Sequence, residues 1–171
     1  MRTALLMVLL ATLCASPSRA DEPLRERIDQ LKKLGARITL DEQGRVIGVN
    51  LGERRITDAD LVHLQGLSDL QELDLTRTKV TSAGLIHLKD LTGLRTLFFT
   101  ETKVDDAGLV HLRAIKSLGL LGLSGTKITD AAVEHLQDLT GLKKLFCIGT
   151  GITDAGVEKL RRELPQCQVT N

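Results

Sequence analysis

The sequence predicts an α/β solenoid, an open arc of stacked repeats with a parallel sheet on its concave face and short helices on its convex face. Three observations carry this. Four gapless copies of a 24-residue unit start at 56, 80, 104 and 128, and a partial fifth opens at Ile152. Within each copy the apolar period changes from helical spacing to alternation, as a helix followed by a short strand requires. Neither half can bury its apolar face alone, so the copies must stack around a shared core.

The elements follow in order. "MRTALLMVLLATLCASPSRA" has a basic start at Arg2, an apolar run from Ala4 to Leu13 and a small-x-small ending at Ala20. It reads as a secretory signal peptide (residues 1–20), cleaved after Ala20 and too short to span a bilayer. Cys14 follows Leu13, where a lipobox has a small residue, which argues against lipidation. Residues 21–55 read as an N-terminal cap. In it Leu24, Ile28, Leu31 and Leu34 form one helical stripe, with Pro23 near the start and Gly35 past the end. "RITL", the turn "DEQG" and "RVIGVNL" then read as a hairpin. Val46, Val49 and Leu51 lie 24 before Leu70, Leu73 and Leu75, so its second arm opens the register and six strands share it.

The four full repeats occupy 56–151, and residues 152–171 form a partial fifth repeat or C-terminal cap. Each opens on an N-cap side chain: Thr57, Thr81, Asp105, Thr129 and Thr153. Asp58, Asp106, Asp130 and Asp154 follow, favourable at the positive end of a helix. Leu61, Leu64 and Leu67 keep helical spacing, and Leu70-x-x-Leu73-x-Leu75 passes into a strand.

L-x-x-L-x-L followed by Thr78, Thr102, Thr126 or Thr150 resembles the leucine-rich repeat family. More narrowly, it is similar to bacterial repeats built on T-D-x-G-L-x-x-L, akin to the ribonuclease-inhibitor-like class. The resemblance covers 46–171 and implies an interaction module working through its concave face. This chain has Thr where the family usually has Asn or Cys, so a hydroxyl is expected to brace the turn after each strand.

Composition narrows the function. The chain is 42% hydrophobic and 26% charged. Cleavage takes Arg2 and Arg19 from 23 basic residues and none of the 22 acids, leaving a net charge of −1. With no basic run, the sequence gives no footprint for nucleic acid or for a polybasic membrane contact.

His63, His87, His111 and His135 recur at one repeat position. Ligands to one ion sit within about 4 Å of each other, whereas packed helices stand about 8–10 Å apart, so the row reads as repeat ancestry and no metal is expected. No nucleophile elbow, phosphate loop or H-E-x-x-H is present, so the reading is non-enzymatic and without a cofactor. Cys147 falls on a core strand position. With Cys167 in the place of Leu142, the two lie roughly 16 Å apart along the sheet. A disulfide needs Cα atoms within about 7 Å, so two free thiols are expected.

Strand alternation turns Leu73 and Leu75 inward and positions 72, 74 and 76 outward. Phe99 is then core, and Phe98 and Phe146 share an outward column with Gly122 between them. Rings about 10 Å apart over a glycine would leave a notch for one side chain. Leu120 and Ile148 would extend it, with Glu72 and Asp74 on one side and Lys143 and Lys144 on the other. This patch is the expected contact for an unknown protein or peptide. The concave sheet offers roughly 500 Å², below the roughly 800 Å² per partner of a stable globular complex, which favours a short segment. The alternative is a self-assembling envelope protein that uses the same patch as a contact between copies. Glycan binding is a weaker rival, since Trp and Tyr are absent. Export to the periplasm or medium follows from the signal peptide.

Overall fold

The computed structural model describes residues 22–171, so the signal-peptide and Cys14 readings fall outside the described residues. Helix α1 (Glu22–Lys33) packs Leu31 fully into the core, with Leu24, Ile28 and Leu34 against it. Lys32 and Lys33 lie in its last turn, where positive charge is favourable. Gly35, at φ 85°, ends it in the left-handed region that glycine enters freely. The hairpin β1 (Arg37–Leu40) and β2 (Val46–Asn50) follows, antiparallel. Its turn is held by the Asp41 carboxylate, which accepts the amides of Gln43 and Arg45 at 2.9 Å each. Those amides and the Arg45 guanidinium keep the Asp41 carboxyl below its usual range.

From β2 the sheet is parallel through β3 (Glu72–Asp74), β4 (Thr96–Phe98), β5 (Leu120–Gly122), β6 (Lys144–Phe146) and β7 (Gln168–Thr170). Gly48, Glu72, Thr96, Leu120, Lys144 and Gln168 pair in one unbroken row, so the 24-residue register holds across all six strands. Leu73, Leu97, Leu121 and Leu145 stack inward beneath it, each essentially fully buried. The architecture expected from the repeats is the one observed.

The convex elements are tighter than an α-helix. The first three repeats carry 3-10 helices, Asp58–Leu64, Ser82–Leu88 and Asp106–Leu112. In the fourth, a 3-10 turn at Asp130–Ala132 runs into α2 (Val133–Leu136). Only the last of these repeats forms a longer helix, α3 (Asp154–Glu163). A 3-10 helix rises about 2.0 Å per residue against about 1.5 Å for an α-helix, so seven residues can span the convex layer. Neighbouring turns press together closely. A Cβ on Gly84 would sit 2.5 Å from Asp58 Oδ1 and 2.9 Å from Leu61 Cδ1, and one on Gly108 would sit 2.8 Å from Ser82 Cβ.

The Thr–Asp pairs do more than cap. Thr81 and Thr129 each accept an amide of their own first turn at 3.3 Å, as capping predicts. Yet the following aspartates reach forward into the next repeat. Asp58 accepts the amide of Thr81 at 2.7 Å and its hydroxyl at 2.6 Å. Asp106 grips Thr129 with 2.8 and 2.7 Å bonds, and Asp130 grips Thr153 with the same pair of lengths. At the remaining junction the partners are exchanged. Ser82 replaces the aspartate and Asp105 replaces the threonine, and the Ser82 hydroxyl donates to Asp105 Oδ1 at 2.5 Å while accepting the Asp105 amide at 2.9 Å. Both residue types changed together, and the clamp survived.

The threonines after the strands brace the turn, but each within its own repeat. Thr78, Thr102 and Thr126 are buried and donate to Leu75, Phe99 and Leu123 carbonyls at 2.7, 2.7 and 2.6 Å. Cys147 and Cys167 are buried thiols. Burial pushes the Cys147 thiol up to about 11. In the last repeat the connection from turn to strand is one residue shorter, which offsets one extra residue before it. The Cys167 amide bonds the Leu164 carbonyl, as the Leu142 amide bonds that of Leu139, yet Gln168 pairs with Lys144.

The clamp predicts a coupled double-mutant cycle. S82D sets two carboxylates against each other and lowers stability, and adding D105T rebuilds the pairing of the other junctions. Urea denaturation should return a favourable coupling of about 1 kcal/mol; additive effects would remove the clamp from the account.

A second expectation concerns acid. The amide of Thr153, then its hydroxyl, hold the Asp130 carboxyl below its ordinary 3.8. A depressed folded value means that the ionised form favours folding: the contribution is complete above the ordinary value and fades as pH falls through the lower folded one. Amide exchange over 152–171 should therefore accelerate below about pH 4, and D130N should remove that dependence.

Candidate protein-binding site

Outward side chains of the concave sheet come from alternate residues of each strand, and their neighbours are set by register. Asn50, Asp74, Phe98, Gly122 and Phe146 form one row, and Gly48, Glu72, Thr96, Leu120 and Lys144 the row beside it. The strand alternation read from sequence holds. Phe99 is fully buried, while Phe98 and Phe146 are half-buried on the concave side.

The arrangement of the rings differs from the expected notch. The Phe98 ring leans over Gly122: a Cβ there would lie 3.1 Å from Phe98 Cε1 and closer still to Cδ1. The glycine floor is therefore a seat for Phe98, and the gap foreseen between the two rings is filled from that side. Side-chain direction, which alternation leaves open, decides this.

The open space lies on the other flank of Phe98. A cavity of about 350 Å³ sits over Gly48, walled by Arg37 and Thr39 of β1, Asn50 of β2, Glu72 and Asp74 of β3, and Thr96 and Phe98 of β4. Gly48 has no side chain to fill it; a Cβ there would meet Thr39 Cβ at 3.1 Å. Asp74 is held in place: its Oδ2 accepts Asn50 Nδ2 and its Oδ1 accepts the Thr76 amide, both at 2.9 Å. Glu72 is exposed and makes no hydrogen bond among the described residues. No ion pair among them involves Glu72, Asp74 or Arg37, although all three border the same space.

Of the eight residues picked from sequence, the cavity brings together Glu72, Asp74 and Phe98. Leu120, Phe146 and Ile148 lie further along the concave face, with Lys143 and Lys144 exposed beside them. Ile148 is 54% exposed, the most open large apolar side chain of the repeats. Arg37 and Thr39 were missed because β1 lies outside the repeat and belongs to no 24-residue column. The signal that could have found them is hairpin pairing, which sets Arg37 opposite Asn50 and Thr39 opposite Gly48.

Beyond the sheet edge, residues 53, 77, 101, 125 and 149 all take positive φ. The last two are glycines, whereas Glu53, Arg77 and Glu101 adopt the left-handed region at some cost. Arg77 joins the other two, donating to Glu101 at 2.8 and 2.9 Å and to Glu53 at 3.3 Å. Its guanidinium holds the Glu101 carboxyl below the usual range.

The histidine row is on the convex side and half-buried. His87 Nδ1 meets Gln65 Nε2 at 2.9 Å, and His135 Nδ1 is buried without a partner. Among the described residues no group of three His, Cys, Asp or Glu is placed to hold a metal ion. No described helix is long and apolar enough to cross a membrane.

With this geometry in hand, comparison with known proteins places the fold. No family model matches the sequence, and no curated protein does. Among solved structures, the chain is similar to the Leptospira interrogans LRR protein LIC12759, at TM-score 0.52 and 24% identity, over 64% of this chain and 27% of that one. It is similar to the crystal structure of PEPR1–AtPEP1 at TM-score 0.52 and 20% identity, over 78% of this chain and 19% of that one. A third likeness is to the LRR ectodomain of the receptor kinase SOBIR1 from Arabidopsis thaliana, at TM-score 0.54 and 12% identity, over 87% and 90%. The chain thus spans under a third of the first two proteins. The fold is a leucine-rich repeat solenoid.

The seat of Phe98 gives a direct test. G122A forces a methyl group into the ring and should cost about 1–3 kcal/mol in urea denaturation. G122A combined with F98A should recover most of that loss, whereas no recovery would mean that the ring does not rest on Gly122.

Proposed function

We propose that this protein is a non-enzymatic interaction module that binds a protein or peptide segment on the concave face of its solenoid. The carrying observation is the cavity over Gly48, where side chains of four neighbouring strands converge and Phe98 is left half-buried. Charged groups without an ionic partner among the described residues, beside an aromatic ring, suit a contact that a second molecule completes. The limited sheet area favours an extended segment over a globular face. A likeness to the PEPR1–AtPEP1 structure is compatible with this reading. The expected patch is kept, with Phe98, Glu72 and Asp74 at its centre and Leu120, Phe146, Ile148, Lys143 and Lys144 extending it. Export, with the mature chain beginning at Asp21, remains part of the proposal.

A second reading has its own observation. Val62, Ile86 and Val110 are 39, 39 and 41% exposed and stand one repeat apart on the convex side. This apolar column suits self-assembly, as an alternative to the concave patch acting between copies.

The two readings separate in one comparison. Wild type, F98D/F146D and V62D/I86D/V110D would be examined by sedimentation equilibrium and by retention of envelope proteins from the source cells. Retention lost only in F98D/F146D, from a monomeric wild type, supports the concave site. Association lost in V62D/I86D/V110D with equal retention by all three supports self-assembly instead.

A further inference from the structure

The cavity over Gly48 carries more than a general contact, because its charged groups have no ionic partner among the described residues. Glu72 and Asp74 are two residues apart on β3, so both project from the same face about 7 Å apart. Register places Phe98 beside Asp74 and Thr96 beside Glu72. Neither carboxylate meets a cation among the described residues. Asp74 is oriented by Asn50 and the Thr76 amide, each engaging a different oxygen and leaving acceptor capacity on both. A cation between the carboxylates would lie alongside the aromatic ring, whose face attracts positive charge. On the opposite wall Arg37 borders the same space with no acidic partner among the described residues, so a run of adjacent cations would be repelled.

We infer that the cavity receives one basic side chain, lysine or arginine, from an extended peptide segment, with its cation between Glu72 and Asp74 and its stem against Phe98. This rests on the concave-face reading and narrows it to a ligand class. The apolar stem has the ring to lie on, and the cation has two acceptors, of which Asp74 is held in place by Asn50 and the Thr76 amide. Arg37 restricts the segment to a single cation here and offers its donors to a peptide carbonyl or to an acidic neighbour of the inserted residue. Cavity volume agrees: about 350 Å³ is room for a side chain and part of its backbone, and is at the small end of ligand sites.

The probe is a displayed random dodecapeptide library, selected on the processed protein and followed by amide shift mapping of the best binders. Selected peptides should share one Lys or Arg. Its replacement by norleucine should weaken binding about tenfold, as should E72Q/D74N in the protein. Shifts should centre on Thr96 and Phe98, and affinity should fall with added salt. Because Asp74 also holds the Thr76 amide, E72Q alone serves as the variant that leaves the fold's own hydrogen bonds untouched. Peptides that bind the concave strands without any shared basic residue would overturn this inference and leave the concave-face reading standing. Binding mapped outside those strands, or no peptide selected at all, would overturn both.

Discussion

A single turn of this chain contains a strand of three residues and a helix of about seven, too little to shelter its own leucines. Each turn is completed by the next. Repeats therefore have to step by a constant length, because one residue more or less would turn a strand's inward leucines to the concave side. In the last repeat α3 is longer, and the turn after it is shorter by one residue, so that Gln168 still pairs with Lys144, 24 residues before it.

Leucine packing alone does not fix the angle at which neighbouring turns meet, and polar contacts supply that constraint. The forward clamp from one helix start to the next ties adjacent repeats on the convex edge, as the sheet ties them on the concave one. The exchanged Ser82–Asp105 junction is the strongest argument that the contact matters. An aspartate left without the threonine's hydroxyl and amide would still face water, but the spacing between turns would lose its polar stop. The glycines at 84 and 108 belong to the same constraint, since turns drawn this close leave no room for a Cβ.

Much of the fold was legible because periodicity is one-dimensional information and a solenoid is nearly a one-dimensional object. Inward and outward assignments at Leu73, Leu75, Phe98 and Phe99 follow from strand alternation alone. Three things were not legible. The 3-10 geometry arises from the squeeze between turns, whereas the i, i+3 leucine spacing fits either helix type. The second role of Asp58, Asp106 and Asp130 is invisible in a single repeat, because their partners lie 23 residues onward. The cavity escaped because its far wall is β1, which lies outside the repeat, and because Phe98 leans toward Gly122 rather than standing upright.

That lean joins the fold to the proposed site. Gly122 is the only glycine in the outward row between Asp74 and Phe146, and it gives the edge of the Phe98 ring a place to rest. An upright ring would partition the concave face into two slots. A reclining one closes the side toward β6 and leaves its other flank turned to the carboxylates of β3. The charged edge contributes in a comparable way. Arg77 spans Glu53 and Glu101 from three backbone positions that glycine would occupy with less strain, as it does at 125 and 149. Those two glutamates share one guanidinium beside the acidic cavity, whereas Glu72 and Asp74 meet no cation among the described residues. The two carboxylates of β3 that meet no cation among the described residues thus border the same cavity as the Phe98 ring.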